Sequence, residues 1–216
     1  MELSGGRKLL IAGASGFGKE VLFCAKDCFG LPAERLAEVA CFLETLAFCE
    51  TTRSVLGVPV ISDAEFDPEL YEVVVAIGDP GTRRKIVEGL PEGTRFRTLI
   101  HPSACVSDWV EIGAGSVITA GCVVTTDIRL GAHTHLNLLT TVGHDTVAGD
   151  YLTTAPGAKL SGSCHFGDRV YIGTNAAVRQ GIRLCDDVTI GMGAMVVRDI
   201  EEPGVYVGSP AKRLER

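Results

Sequence analysis

From Val106 to Val196, every sixth position but one is apolar. The column runs Val106, Ile112, Ile118, Val124, Leu130, Leu136, Val142 and Ala148, then Thr154, Leu160, Phe166, Ile172, Val178, Leu184, Ile190 and Val196. Thr154 is its one polar member. Four places further on lies a second column of small or apolar residues: Ser116, Cys122, Thr134, Thr140, Ala158, Cys164, Ala176 and Ala194. Glycine often follows the first column, as at Gly113, Gly131, Gly143, Gly149, Gly167, Gly173 and Gly191. A helix repeats near 3.6 residues and a strand every 2, so neither produces an unbroken period of six. That period belongs to a hexapeptide parallel β-helix, in which each hexad forms one flat face of a triangular coil and three hexads make a turn. The register predicts a little over five coils.

The first hundred residues have a different texture. "KLLIAGA", "AEVACFLE", "GVPVI" and "YEVVVAIGD" read as buried strands. "GKEVLFCAKDC" places Val21, Leu22, Ala25 and Cys28 at helical spacing, and "PGTRRKIVEGL" reads as a helix opened by Pro80. Strand–helix alternation implies a small parallel α/β sheet. The expected organisation is an α/β Rossmann-like domain over 1–100, then a β-helix with a C-terminal tail over 101–216.

Composition narrows the function classes. The chain of 216 residues is 46% hydrophobic and 22% charged, as a globular protein is. Its formal charge of −7, with no long Lys/Arg cluster, disfavours nucleic acid as partner. The apolar runs are strand-sized, so no membrane span is expected. "MELSGGRKLLIAGASGFG" ends in glycines at a strand–helix junction rather than in a cleavage signal, so no targeting peptide is read. Eight cysteines without CxxC spacing point to reduced, structural thiols in a cytoplasmic protein, and no metal site is predicted.

"GASGFGKEV" puts Gly13, Gly16 and Gly18 between a strand and a helix, where backbone N–H groups can meet a phosphate. The spacing is GxxGxG, not the dinucleotide GxGxxG. Glu44 follows a later strand, where an acid can bind a ribose or a base edge. Together "LLIAGASGFGKEV", "CFLE", "VVVAIGDPGTRRKI", "IHPSACVS", the hexapeptide block and "YVGSPAKRL" fall in the order found in sugar-nucleotide acyltransferases. The chain resembles this family over nearly its whole length, including the N-acetyltransferases of bacillosamine and perosamine pathways and the sialic acid O-acetyltransferase-like proteins. The resemblance implies a left-handed β-helix, against the usual crossover rule, and a homotrimer holding acetyl-CoA between subunits. It also implies a nucleotide-linked amino sugar near Gly13, Ser15, Gly16, Phe17, Glu44, Ile77 and Gly78. Phe17 stands where many members carry a histidine, and Thr153 where several carry a second one.

Acetyl transfer to an amine needs a base, and five histidines compete for the role. His101 precedes Pro102 at the domain junction and resembles the family's structural "HPSA" segment. His133 and His165 are expected to be exposed turn or face residues, and His135 an accessory candidate. His144 lies two places after Val142, so its side chain should point out of the prism. The resemblance makes His144 the base, Asp145 the acid that orients it, and Asn137 a residue near the sugar amine. An oxyanion contact is open between Gly143 and Gly162. Acetyl-CoA, the co-substrate, is assigned Thr153, Gly162, Gly173, Thr174, Asn175, Gly191, Gly193 and Lys212. The resulting expectation is acetyl transfer to the amine of a nucleotide-linked, 4-amino-4,6-dideoxy sugar. The alternatives are O-acylation, transfer of a longer acyl chain, or a non-catalytic trimeric binding protein.

Overall fold

A computed structural model of the chain describes residue 3 and residues 6–215. The N-terminal part comprises β1 (Lys8–Ala12), α1 (Gly16–Phe29), α2 (Leu36–Val39), β2 (Ala40–Glu44) and α3 (Leu46–Thr51). It continues with β3 (Ser54–Val55), β4 (Val58–Ser62), β5 (Tyr71–Val75), α4 (Pro80–Gly89) and β6 (Arg95–Phe96). The six strands lie in the order β3-β4-β2-β1-β5-β6, parallel except for the β3–β4 hairpin. One expected strand is shorter than its sequence suggested, because residues 36–39 of the "AEVACFLE" region form α2 and the strand begins at Ala40. Leu36, Ala37 and Glu38 are good helix formers, and Val39 is the one β-branched residue among the four.

The sheet order reverses between β1 and β5. The chain moves outward from β1 to β2 and β4, then returns to the other side of β1. In a doubly wound sheet, the loops leaving the two strands at such a point diverge and open a crevice. Gly13 and Ile77 follow these strands and face each other: a Cβ on Gly13 would lie 3.1 Å from Ile77 Cδ1.

From Leu99 the chain winds into a left-handed parallel β-helix with three flat faces, beginning two residues before the expected boundary. The first face stacks Leu99–Ile100, Val117–Ile118, His135–Leu136, Thr153–Thr154, Tyr171–Ile172 and Val188–Ile190. Gly204–Val207 and Lys212–Arg213 close it at the C-terminal end. The second face starts at Cys105–Val106 and the third at Val110–Ile112. Both apolar columns point inward. From Ile118 to Val196 the first is buried, and the second is buried throughout. Cys122 and Cys164 pack there as small residues. Thr154 is accommodated because its hydroxyl lies 2.8 Å from the Thr140 hydroxyl and accepts from Asn137 N, so the buried oxygen keeps its hydrogen bonds.

The period of six is also a backbone constraint. Residues 115, 121, 127, 133, 139, 145, 151, 157, 163, 169, 175, 181, 187 and 193 all have φ between 53° and 76°. These are the corners of the prism. Nine of them are not glycine, and the left-handed conformation costs an L-residue on the order of 1 kcal/mol. The compensation is regular: the corner amide donates to a carbonyl one coil back, as His133 N to Ala114 O, Asp145 N to Thr126 O and Ser163 N to His144 O.

Glycines just after the first column allow coils to stack. A Cβ on Gly113 would lie 2.4 Å from Ala132 N and 2.6 Å from Ala132 Cα, both backbone atoms that cannot step aside. At Gly181 a Cβ would meet nothing within 4 Å, though φ is +76°. Gly113→Ala should therefore cost about 3 kcal/mol or more, and Gly181→Ala only about 1 kcal/mol of backbone strain. Urea unfolding midpoints of the two variants measure the difference; equal losses would contradict the coil-contact explanation.

Candidate active site

His144 precedes a corner between the second and third faces, and Asp145 is the corner. His144 O accepts from Ser163 N at 2.6 Å, and Asp145 N donates to Thr126 O at 3.2 Å. The pair is thereby pinned to the coil on either side. His144 Nδ1 lies 2.5 Å from Asp145 Oδ2, and both side chains are about half exposed. With Nδ1–H donated to the carboxylate, Nε2 keeps its lone pair. The ring lies over Gly162, one coil on, where a Cβ would stand 2.6 Å from Nε2 and 2.7 Å from Cε1. Gly162, assigned above to the cofactor, thus makes the flat seat of the imidazole. Gly143 stacks on the same segment, with its Cβ position 2.5 Å from Gly162 N.

A second set of expected residues surrounds the crevice of the α/β sheet. Gly13, Glu44 and Ile77 line a cavity of about 370 Å³ together with Leu43, Thr45 and Asp63. Glu44 Oε1 accepts from Ala14 N at 2.8 Å, so the acid shapes the glycine turn. Gly18 is obligatory there: a Cβ would sit 2.0 Å from Gly13 O. Gly16 has nothing within 4 Å of its Cβ position and Ser15 makes no side-chain cap, which leaves the start of α1 open. The first amides of α1 have no intrahelical acceptor and favour an anion. Gly78 and Phe17 border this region without lining the cavity.

The α/β domain covers the first face of the prism, and this overturns two expectations. His133, expected to be exposed, is buried, stacked on Tyr151 at 5.2 Å and met edge-on by Phe96 at 4.6 Å. Thr153, expected at the cofactor, is buried in the domain junction, donating to Gly78 O at 2.9 Å. The hexad register predicted an outward direction for both positions, but not what lies outside. His165 is exposed as expected. His101 is structural, bonded to Asp27 of α1 through Nε2 at 2.9 Å and to Ser103 through Nδ1.

The residue that joins the domains went unnoticed in the sequence. Arg83, in α4, is fully buried. Its Nε donates to His133 O at 3.1 Å, Nη1 to Ile77 O at 2.6 Å and Gly78 O at 3.3 Å. Nη2 donates to Tyr151 O at 2.8 Å, Leu152 O at 3.3 Å and Thr153 Oγ1 at 2.9 Å. None of these acceptors is a carboxylate. Burial pulls the guanidinium pKa down to about 9, which leaves it charged at neutral pH. Arg83 stands three, four and seven places before Ile86, Val87 and Leu90, on the apolar stripe of the helix, which is the signal the sequence carries.

The remaining assignments fall on other parts of the prism. Asn175 and Gly193 are corners between the first and second faces, Gly173, Thr174 and Gly191 lie just before them, and Asn137 precedes the same edge. Asn137 is buried, its Nδ2 donating to Thr154 O at 2.8 Å, and its Oδ1 has no hydrogen-bond partner among the described residues. Lys212 borders a cavity of about 490 Å³ at the C-terminal end, with Arg198 and Tyr206. Within one chain, the His144 edge and the Asn175 edge are separated by the second face. Among the described residues, no group of three or more His, Cys, Asp or Glu is placed to hold a metal ion, and no helix is long and apolar enough to cross a membrane.

Two family models match separate parts of the chain. The model described as the PglD N-terminal domain matches residues 8–90, and the hexapeptide repeat of succinyl-transferase matches 166–198. The acetyltransferase domain of PglB from Neisseria gonorrhoeae superposes with a TM-score of 0.86 at 36% identity, covering 96% of this chain and 100% of that one. This chain belongs to the sugar-nucleotide N-acetyltransferase family with hexapeptide repeats. PerB from Caulobacter crescentus, solved with CoA and GDP-perosamine, gives a TM-score of 0.84 at 29% identity over 100% of both chains. GDP-perosamine N-acetyltransferase of Escherichia coli O157:H7 is 37% identical over 109 residues, 50% of this chain. The match spans about half the length of that relative, 49%.

The buried histidines make this acetyltransferase-family fold acid-sensitive. Burial first, and Arg83 second, pull the His133 pKa from 6.5 down to about 4, and His135 is pushed down by the same causes. The unfolded chain takes up these protons below about pH 6.5. Stability is thus complete above about pH 6.5 and falls as pH drops toward 4, by up to about 3 kcal/mol for His133 alone. Urea midpoints at pH 7.5, 6 and 4.5 should decline in that order, and equal midpoints would contradict neutral burial.

Proposed function

We propose that this protein transfers the acetyl group of acetyl-CoA to the amino group of a nucleotide-linked sugar, with His144 as general base. The observation that carries the reading is the His144–Asp145 pair: an imidazole oriented through Nδ1, seated on Gly162, with Nε2 free at an exposed edge. As the amine attacks the thioester carbonyl, Nε2 accepts its proton. Asp145 stabilises the imidazolium that forms. The thioester is already activated, and coenzyme A leaves as the thiol. The acetyl-CoA complex of the PglB domain and the CoA and GDP-perosamine complex of PerB support this choice of substrates.

In this reading the sugar nucleotide occupies the crevice of Gly13, Ser15, Gly16, Phe17, Glu44, Ile77 and Gly78. Asn137 Oδ1, a buried acceptor with no partner among the described residues, receives an N–H of the acceptor amine. Acetyl-CoA runs along the edge of Gly173, Thr174, Asn175, Gly191 and Gly193 toward Lys212. Because that edge and the His144 edge lie on opposite sides of one face, the complete site takes one edge from each of two neighbouring prisms, as a homotrimer provides. Thr153 has no place in the cofactor site, since its hydroxyl is spent between Arg83 and Gly78. The acceptor is a 4-amino-4,6-dideoxy sugar, and the reaction takes place in the cytoplasm, where acetyl-CoA and nucleotide sugars are made.

Thiol release from acetyl-CoA, followed over a panel of UDP-, GDP- and dTDP-linked amino sugars, tests the reading. His144→Ala should lower kcat at least about 10²-fold, the usual scale for a general base, with coenzyme A binding retained. Turnover at the wild-type rate would remove His144 from the mechanism. Gly162→Ala offers a finer check, because its methyl group displaces only the mobile end of the imidazole. The fold should survive while kcat falls about 10-fold or more; unchanged kcat would show that the seat is irrelevant.

A further inference from the structure

His135 stands out from the other buried groups. Its side chain is fully buried on the first face, yet neither Nδ1 nor Nε2 has a hydrogen-bond partner among the described residues. Leaving such groups unpaired in a buried place destabilises the fold, and an apolar side chain at this rung would avoid it. Leu99 and Val117, on the two preceding rungs of the same ladder, show that apolar residues fit there. The ring lies where three ligand-shaping segments meet. Phe17, in the first turn of α1, is 5.1 Å away between centroids. Arg83, which holds the carbonyls of Ile77 and Gly78, acts on it electrostatically, and Thr153 is the next rung.

We infer that His135 is a concealed binding residue of the acceptor pocket, covered by Phe17 and hydrogen-bonding a neutral hydroxyl of the sugar when Phe17 turns aside. This rests on the acceptor reading given above and deepens it. Phe17 is only partly buried, at the edge of the core cluster of the α/β domain, so its ring turns aside with less loss of packing than a fully buried one. Burial first, and the Arg83 cation second, oppose an imidazolium at this place, so the ring stays neutral and offers one N–H and one lone pair. That pairing suits a hydroxyl, which both donates and accepts, better than a phosphate, which prefers a cation. The residue thus trades stability of the empty protein for recognition of the sugar.

Calorimetric titration of the full chain with the amino-sugar nucleotides of the panel, with UDP, GDP and dTDP, and with acetyl-CoA tests this, alongside melting curves. His135→Leu should raise the melting temperature of the free protein and weaken sugar-nucleotide binding about 10-fold. Binding of the bare nucleotides and of acetyl-CoA should not change, and His135→Gln should recover most of the lost affinity. Sugar-nucleotide binding at the wild-type level in His135→Leu overturns the inference, and so does an equal loss for the bare nucleotides. If sugar nucleotides bind but no thiol is released, the transfer reading fails while these titrations still decide the role of His135. If none binds the wild-type protein, both fall together.

Discussion

Arg83 carries a positive charge in the middle of the molecule and touches no carboxylate. Its five N–H groups instead collect backbone carbonyls from both halves: Ile77 and Gly78 at the crevice of the α/β sheet, and His133, Tyr151 and Leu152 on the prism. A planar guanidinium suits this, because its donors point outward in a fixed fork. Hydrogen bonds to a charged group contribute more than neutral ones, and any relative movement of the halves would strand a buried cation. The glycine turn, the Ile77–Gly78 loop and the first face are therefore held as one body. The same charge helps to keep His133 and His135 neutral.

The β-helix imposes a second constraint. Every corner from residue 115 to residue 193 is left-handed, and from His133 on each corner amide donates to a carbonyl one coil back. At the second-to-third corner this machinery presents His144 and Asp145 outward with their backbone fixed on both sides, and the absence of a side chain at Gly162 supplies the flat surface beneath the ring. The proposed base and the acid that orients it are thereby presented by a repeat that elsewhere builds the wall of the prism. Thr154 shows the same economy inside: the single polar break in the apolar column orients Asn137 from below through its hydroxyl and carbonyl.

Periodicity made the prism legible in sequence almost residue by residue, since inward columns depend only on local register. The outward direction of His144 was legible for the same reason. What lay beyond each face was not. His133, His135, Thr153 and His144 all follow outward positions of the same repeat, yet the α/β domain covers the first three and leaves the last exposed. That difference comes from docking between domains, to which a hexad count is blind. Arg83 was hidden for a related reason: all but one of its acceptors are main-chain oxygens, which leave no trace in side-chain identity. Handedness likewise came from family resemblance, because inward and outward positions alternate identically in either hand.

The central claim is that the acetyl group ends on a sugar amine. Analysis of the product formed from acetyl-CoA and an accepted amino-sugar nucleotide, by mass before and after mild alkaline treatment, tests it most directly. The account predicts an acceptor heavier by one acetyl group, which it keeps through the alkali as an amide does. An acetyl group lost in alkali, as from an ester, or acetylation of a sugar bearing only hydroxyls, would contradict it.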